Sequence, residues 1–263
     1  MSDALSNAVT RADGFVQRSA PPLERVFFDT LLRRQDARAL LAALAEAQAP
    51  DGALRPWDEA PAPDPALAAT LRGLTRLDAL GLLDHPVGER ATAWLLARQA
   101  PDGGWDEPGA DEERRIALTG EVAGLLAKTP FARASALAGA EAFLARLWSV
   151  ERVQGPRYAP ILAYVHALAN VPSELADEVL QWCGRELERG FRTHAFDAVA
   201  VARVFLRARA RALPGASLEA GEVVATLLAA QAADGGWPAE AGGSRTGATL
   251  EAVEALLRLG PSA

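Results

Sequence analysis

Apolar residues recur along this chain with the three-to-four-residue spacing of helices, in segments separated by short polar turns. Val, Ile and the aromatic residues, which strands favour, are scarce beside the helix formers Ala, Leu, Arg and Glu. Some segments, such as 159–169 and 198–206, are apolar nearly all round, which suits helices that are contacted on every side. The pattern predicts an all-α protein.

The segments fall in pairs, so we expect about six helix pairs, as in helical repeat proteins. We predict a single domain over residues 1–263, with a loosely attached N-terminal helix in residues 1–20 as an alternative. The predicted helices cover residues 5–18, 22–33, 36–48, 64–80, 91–100, 111–127, 135–150, 157–170, 172–189, 192–210, 217–232 and 244–259.

A seven-residue motif recurs at the ends of predicted helices. Gln99-Ala-Pro-Asp-Gly-Gly-Trp105 returns as Gln231-Ala-Ala-Asp-Gly-Gly-Trp237, and a weaker copy begins at Gln48. The first two copies start 51 residues apart and the last two 132 residues apart, which is three intervals of 44. Because one helix pair cannot bury its own apolar face, we expect the pairs to close into an α/α toroid, a double ring of helices.

The Gln-x-x-Asp-Gly-Gly-Trp motif resembles the repeat of squalene and oxidosqualene cyclases, class II diterpene cyclases and protein prenyltransferase β subunits. The resemblance rests on two strong copies and one weak copy, and it implies the toroid fold. In that family the Gln and Trp residues join neighbouring outer helices. The resemblance therefore implies structural roles for four residues here: Gln99, Trp105, Gln231 and Trp237. It does not specify a reaction, because one fold hosts many chemistries.

The residues that carry the known reactions of that family are absent. Class II cyclases protonate their substrate with the middle Asp of Asp-x-Asp-Asp, and the nearest segment, His194-Ala-Phe-Asp197, matches only the last Asp. Protein prenyltransferases hold zinc with Asp, Cys and His, whereas Cys183 is the one cysteine and lacks an Asp-x-Cys context. The aspartate-rich magnesium motif of class I terpene synthases is also missing. We predict no metal or other cofactor, with Mg²⁺ as an option if the substrate is a diphosphate.

His194 and Asp197 are the candidate catalytic residues, at the predicted start of an inner helix. Their i, i+3 spacing would place them on one face, where the histidine could orient the carboxyl as an acid or base. The N-termini of inner helices open on one mouth of the ring, where polar residues are natural site candidates. The alternative is structural, with Thr193 capping the helix and Asp197 interacting with the helix dipole.

Tyr158, His166 and Phe196 are candidates for lining an apolar lumen and stabilising a cation through their faces. Tyr158 and His166 are eight residues apart, so both could face the interior. The alternative is ordinary packing with satisfied polar groups.

Arg115 and Arg245 each lie near the start of an inner helix and could together bind a diphosphate. Glu121 could also face the lumen. The alternative for these residues is helix capping and solvation, because Arg is interleaved with Glu and Asp along the chain.

Composition limits the class of partner. A net charge of −7 leaves no basic footprint for nucleic acid. No apolar run approaches the roughly 20 residues of a membrane span, and the N-terminus lacks the apolar core of a signal peptide. We expect a soluble cytoplasmic protein with no nucleic-acid partner and no integral membrane segment, and the sequence leaves its oligomeric state open.

These observations favour a protein that holds an isoprenoid-type or other apolar small molecule in the lumen. Such a protein could be a terpene cyclase-like isomerase or lyase that uses an acid other than Asp-x-Asp-Asp. The sequence leaves open whether it is an enzyme. The hypothesis requires a cavity of several hundred Å³. Two alternatives remain. A non-catalytic scaffold for a protein partner predicts a filled lumen and an exposed apolar rim patch, and a carbohydrate-active toroid needs paired carboxylates.

Overall fold

The structure is a computed structural model that describes residues 3–58, 61–239 and 243–260. Apart from two isolated β-bridges, the regular secondary structure of these residues is helical, which confirms the all-α prediction. The helices are α1 Asp3–Ser19, α2 Pro22–Leu31, α3 Arg38–Ala47, α4 Pro65–Leu80, α5 Pro86–Leu96, α6 Glu112–Leu126, α7 Ala134–Leu147, α8 Val150–Val153, α9 Tyr158–Leu168, α10 Ala176–Arg192, α11 Ala198–Ala208, α12 Ala220–Ala230 and α13 Arg245–Leu259.

The helix boundaries depart from the prediction chiefly in the segment 192–210. The sequence predicts one helix there, but α10 continues to Arg192 and α11 begins only at Ala198. His194 lies between them with a φ of +59°, in the left-handed region, so the backbone turns at this residue. His194 is therefore part of a turn and does not belong to the inner helix.

Six consecutive helix pairs account for all the helices except the one-turn α8: α1/α2, α3/α4, α5/α6, α7/α9, α10/α11 and α12/α13. We call the second helix of each pair inner and the first outer. The inner helices contact one another in chain order from α2 to α13, and the α6–α9 contact is the most extensive. Nine of the eleven residues of α11 are buried, against four of the fourteen residues of α7, so the inner helices form the core.

The first outer helix lies against the last helix pair. α1 contacts both α12 and α13, and it buries six residues, among them Leu5, Phe15 and Val16. The first helix and the last helix pair are thus brought together by packing. No helix in the described part of the chain has both the length and the apolar character that crossing a bilayer requires.

The repeated glutamines link each motif turn to the following outer helix. The Gln99 side chain donates from Nε2 to the carbonyl of Gly103 in its own turn and to the carbonyl of Ala136 on α7, each at 2.8 Å. Gln231 donates in the same way to Gly235 and, at 2.9 Å, to Ala8 on α1. The weak copy repeats the arrangement with Gln48, Gly52 and Val87.

The first glycine of the strong motif cannot be replaced without strain. Gly103 has a φ of +91°, and a Cβ atom there would lie 2.1 Å from the carbonyl oxygen of Gly139 on α7. Gly235 has a φ of +94°, and its Cβ would lie 2.1 Å from the carbonyl oxygen of Arg11 on α1. Both turns therefore rest directly on the backbone of an outer helix, which only glycine allows.

The motif tryptophans anchor the turns to their own helix pair. Trp105 is fully buried, donates from its indole Nε1 to the Leu95 carbonyl at 2.8 Å, and donates its backbone N–H to Thr119 Oγ1 at 3.0 Å. Trp237 makes the corresponding bonds to Leu227 and Thr249. Each tryptophan thus joins two helices, the outer helix through its indole N–H and the following inner helix through its backbone N–H. Burial of the indole provides a large apolar contact area.

Candidate ligand-binding site

A cavity of about 540 Å³ lies among five inner helices, α4, α6, α9, α11 and α13. We call it the central cavity. Residues that precede α13, among them Pro238 and Ser244, also border it. Its volume meets the requirement of several hundred Å³ that small-molecule sites impose. Its apolar wall consists of Ala117, Ala159, Leu162, Ala163, Val199 and Ala248.

The rest of the lining is strongly charged, so the cavity is not lined by apolar residues alone. Five arginines reach the cavity: Arg72, Arg76, Arg114, Arg203 and Arg207. Buried guanidinium groups need carboxylate partners, because desolvation of an unpaired charge is costly. The polar residues that looked like solvated faces in the sequence in fact pair across the interior.

Arg76 and Glu24 form the most deeply buried of these pairs. Arg76 Nε lies 3.0 Å from Glu24 Oε2, and both side chains are almost fully buried, at 6% and 5% exposure. The indole of Trp57 donates to the second oxygen of Glu24 at 3.2 Å. Burial alone would lower the pKa of Arg76, but its interaction with Glu24 raises that pKa above its usual value. The pair therefore stays ionised and holds α2 against α4.

Arg203 and Arg207 on α11 share the carboxylate of Glu251 on α13. The distances from the guanidinium nitrogens to the Glu251 oxygens are 2.9 Å for Arg203 and 3.5 Å for Arg207. Burial tends to raise the pKa of Glu251, but the two arginines outweigh it and lower that pKa. Glu251 is therefore an ionised structural link and cannot serve as a proton donor near neutral pH.

Glu121 differs from the other carboxyl groups of the cavity. It lines the cavity from the middle of α6 and makes no hydrogen bond or close ion pair with any other described residue. Burial raises its pKa, although the more distant charges of Arg207 and Arg114 oppose that shift. A half-buried carboxyl that is open to the cavity and retains its proton more readily than a surface glutamate is a candidate acid.

At the deep end of the cavity, His166 on α9 contacts the only lysine of the chain. Lys128 Nζ lies 2.9 Å from Asp78 Oδ2 and 3.4 Å from His166 Nε2. Burial lowers the pKa of Lys128 to about 8. Burial, together with the nearby charges of Lys128, Arg207 and Arg209, holds the pKa of His166 well below its usual value. The imidazole of His166 is therefore neutral at physiological pH.

His194 and Asp197 do not form the predicted pair. His194 is exposed in the turn before α11, whereas Asp197 is the N-cap of α11 and accepts the backbone N–H of Ala200 at 2.8 Å. The structural alternative is also wrong in part, because Thr193 donates its hydroxyl to the Arg189 carbonyl and caps nothing at α11. Asp197 does border the cavity, but its carboxylate is engaged in the cap.

Tyr158 borders the cavity near Asp197, and His166 borders it at the deep end. The Tyr158 hydroxyl donates to the Ala200 carbonyl at 2.7 Å, and its ring meets the Phe196 ring edge to face at 5.5 Å. Phe196 is buried behind Tyr158 and is not among the residues that line the cavity. Of the three aromatic candidates, the structure thus places Tyr158 and His166 on the cavity wall.

Arg115 and Arg245 lie outside the lining of the central cavity. Each makes a two-pronged ion pair with the aspartate of a motif turn, Arg115 with Asp102 at 2.9 and 3.0 Å and Arg245 with Asp234 at 2.8 and 2.9 Å. Each also stacks on an aromatic ring of the next outer helix, respectively Phe143 and Phe15. The two arginines thus occupy equivalent positions in two repeats and do not meet around a common ligand.

The spacing of arginines in the sequence indicates the charged part of the cavity lining. Arg72 and Arg76 are four residues apart on α4, and Arg203 and Arg207 are four apart on α11. Charged pairs at this spacing on otherwise apolar helices form a polar stripe. Because outer helices already cover the other faces, such a stripe on an inner helix has to face the interior.

Comparisons with known proteins add no family assignment. A scan against models of protein families found no match to this chain, and a search of curated proteins found none either. Within the described ranges, no three His, Cys, Asp or Glu side chains cluster so as to hold a metal ion. The titratable groups that line the cavity include the Glu121 carboxyl and the neutral His166 imidazole.

Proposed function

We propose that the six helix pairs form a closed α/α toroid of the kind that the Gln-x-x-Asp-Gly-Gly-Trp repeat typifies. The support is the recurrence of one contact. Gln231 bonds to α1 as Gln99 bonds to α7, and Arg245 stacks on α1 as Arg115 stacks on α7. In an open solenoid the last motif turn would have no following outer helix to contact.

In this proposal the central cavity is the lumen of the toroid and binds an amphipathic, isoprenoid-type small molecule. The observation that carries the proposal is a cavity of about 540 Å³ whose lining combines apolar and charged side chains. Leu162, Ala117 and their apolar neighbours would contact the hydrocarbon part of the ligand. The charged residues would hold its polar end. A purely apolar ligand would leave the Glu121 carboxyl without a hydrogen-bond partner, which disfavours it.

Glu121 supports a second, catalytic role for the same site, the acid-catalysed isomerisation or cyclisation of an isoprenoid alkene. Its O–H bond would break as the π electrons of a carbon–carbon double bond form a new C–H bond. The resulting carbocation would then return a proton from a neighbouring carbon to the Glu121 carboxylate, giving an isomer of the substrate. The raised pKa and the absence of a hydrogen-bond partner suit Glu121 to this role better than Asp197, whose carboxylate caps α11.

The two other hypotheses have less support. A protein-binding scaffold predicts a filled lumen and an apolar rim patch, whereas among the described residues Leu257, at 38% exposure, is the one exposed large apolar side chain. A carbohydrate-active site requires two available carboxyl groups. Glu251 is committed to two arginines and Asp197 to a helix cap, so Glu121 stands alone.

Native mass spectrometry of the purified protein with farnesol, farnesyl phosphate, farnesyl diphosphate and squalene tests the binding proposal. We expect complexes of one ligand per chain for the amphipathic compounds. If none of the four compounds forms a complex with the protein, the binding proposal is contradicted.

Product analysis by gas chromatography with mass spectrometry tests the catalytic role. The protein is incubated with farnesyl and geranylgeranyl diphosphates, squalene and oxidosqualene, with and without Mg²⁺. We expect an isomeric product that Glu121→Gln abolishes and that Asp197→Asn, the matched control, retains. A product that survives Glu121→Gln would remove Glu121 from the mechanism, and no product from any substrate would leave a binding role only.

A further inference from the structure

One polar atom at the deep end of the central cavity has no partner among the residues that the structure describes. His166 is almost fully buried and lines the cavity. Its Nε2 faces Lys128 Nζ at 3.4 Å, but its Nδ1 makes no hydrogen bond with any described residue. Nδ1 is not fully enclosed by protein atoms, so it is open to the cavity, where a ligand can supply the hydrogen-bond partner that the polar groups of a buried side chain nearly always have.

Lys128 decides which nitrogen of His166 carries the proton. The ammonium group of a lysine has three donors and no acceptor, and Lys128 is ion-paired with Asp78 at 2.9 Å. Nε2 of the neutral imidazole must therefore accept from Lys128, so the proton lies on Nδ1. His166 consequently presents an N–H donor, not an acceptor, as its remaining hydrogen-bonding group.

The position of the imidazole is held by its surroundings. The ring lies directly on Gly124 of α6, where a Cβ atom would come within 2.2 Å of the His166 Cδ2 atom. Asn170 donates from its amide to the carbonyls of both His166 and Arg207, which ties the ends of α9 and α11 together. The ring cannot turn freely, so its Nδ1–H keeps a defined direction.

The deep end also favours negative charge in a ligand. Lys128 and Arg209 share one carboxylate, Asp78, so this group carries one positive charge more than Asp78 neutralises. Arg207, which also lines the cavity, is buried, and its nearest carboxylate oxygen is 3.5 Å away on Glu251. Arg209 is half-exposed, so the buried positive charge beside the Nδ1–H group is that of Lys128 and Arg207. An N–H donor beside buried positive charge suits an oxyanion.

We propose that the deep end of the central cavity is an oxyanion-binding site, in which His166 Nδ1–H and the Arg207 guanidinium bind a phosphate or carboxylate end of the ligand. Lys128 is a positioning residue, because it acts on the ligand through the tautomer of His166. The proposal rests on the proposed function for the rest of the ligand, and it names the end group as an oxyanion. The hydrocarbon part would then extend along the apolar wall towards Leu162 and Ala117.

The tautomer can be read without any ligand. Long-range ¹H–¹⁵N correlation spectra of the labelled protein distinguish Nδ1–H from Nε2–H for each of its 3 histidines. His166→Phe identifies the signal of His166. We expect the neutral Nδ1–H form, and a mixture or the Nε2–H form in Lys128→Met. Because Lys128→Met leaves Asp78 with one cation fewer, the double variant Lys128→Met/Asp78→Asn, which removes both charges, is measured beside it.

Ligand chemistry is tested on the same samples with inorganic phosphate, geranyl phosphate, geranic acid and geraniol. Phosphate is expected to shift the His166 Nδ1 signal saturably. At least one of the two anions, geranyl phosphate and geranic acid, is expected to bind about tenfold or more tightly than geraniol, because one charge-assisted hydrogen bond contributes about that much. The anion that binds more tightly identifies the oxyanion as phosphate or carboxylate. The preference should fall in His166→Phe and in both Lys128 variants, which leave the Arg207 guanidinium in place. Arg185→Met, which removes an exposed arginine of the outer helix α10, is the control and should keep it.

Three results would overturn the proposal. They are an Nε2–H tautomer in the unmodified protein, equal affinity for geraniol and the two anions, and a preference that is lost in Arg185→Met but kept in the Lys128 variants. Equal affinity would leave the proposed function standing. Conversely, a saturable phosphate shift without binding of any geranyl compound would support the oxyanion site and contradict the isoprenoid ligand.

Discussion

The contact between Gln231 and α1 offers a quantitative test of ring closure. Gln231 donates from its amide to Ala8 at 2.9 Å and to Gly235 at 2.8 Å, and Gln99 makes the equivalent bonds at 2.8 Å within the body of the protein. If the ring is closed, Gln231→Ala and Gln99→Ala remove equivalent interactions, although the sequence separations that they bridge differ greatly.

The expected loss follows from the number of bonds. Each variant removes the two hydrogen bonds that the amide donates, and Gln231→Ala also removes one that Gln231 Oε1 accepts from the exposed Arg11. A typical intramolecular hydrogen bond contributes about 1 kcal/mol, so the free energy of unfolding should fall by about 2 kcal/mol in Gln99→Ala and by about 2–3 kcal/mol in Gln231→Ala. For a chain of this length a loss of about 2 kcal/mol corresponds to a drop in Tm of roughly 4–8 °C. Gln181→Ala on α10 is the matched control, because Gln181 is exposed, and it should change the free energy by less than about 0.5 kcal/mol.

Urea denaturation followed by circular dichroism measures all three variants. Similar losses for Gln231→Ala and Gln99→Ala would support a closed ring. A loss in Gln99→Ala with a surface-like value for Gln231→Ala would refute the reasoning, because it would mean that α1 does not rest on the last motif turn in solution.

Three further predictions concern the packing and the charges of the interior. Gly103→Ala should cost about 2 kcal/mol or more in urea denaturation, because its Cβ would strike the Gly139 carbonyl, whereas Gly109→Ala, also at positive φ but with open space around it, should cost only about 1 kcal/mol. The pKa of Lys128 is lowered to about 8 in the folded protein, so the unfolded chain binds more protons above that pH. Stability should accordingly rise by about 1 kcal/mol between pH 8 and 9 from this residue alone, a difference that Lys128→Met should abolish. The folded pKa of Glu121 is raised, so its favourable contribution is present below the unfolded pKa of about 4.5 and is lost as pH rises through the folded pKa. Glu121→Gln should thus be more stable than the unmodified protein at pH 8, and an unchanged or lower stability would contradict the assigned burial.

The helices and their turns were largely predictable because they depend on local chemistry. Asp64, Asp111 and Ser244 each accept a backbone N–H at the start of an inner helix, so these helices begin where a capping side chain stands. The segment 192–210 was not predictable in the same way. Its break lies at His194, a residue that rarely adopts the left-handed conformation, with no glycine or proline to mark it.

The character of the cavity could not be read from the helical pattern. A polar stripe on a helix can face either solvent or the interior. Which of the two it faces depends on how the neighbouring helices rotate each inner helix about its axis. Arg76 and Glu24 are 52 residues apart, and their pairing exists only after α2 and α4 have packed together. Arg115 and Arg245, by contrast, occupy equivalent positions in two repeats. That equivalence indicates pairing with the aspartates of the motif turns, and not a shared ligand.

Binding of farnesyl phosphate to the protein and to Ala117→Trp, measured by isothermal titration calorimetry, tests the central claim most directly. Ala117 is half-buried and lines the cavity, so an indole there would occupy part of the cavity of about 540 Å³. The account predicts saturable binding of one ligand per chain that is lost or greatly weakened in Ala117→Trp, while the circular dichroism spectrum stays unchanged. Equal binding by the two proteins, or no saturable binding by either, would contradict the claim that the cavity is the ligand site.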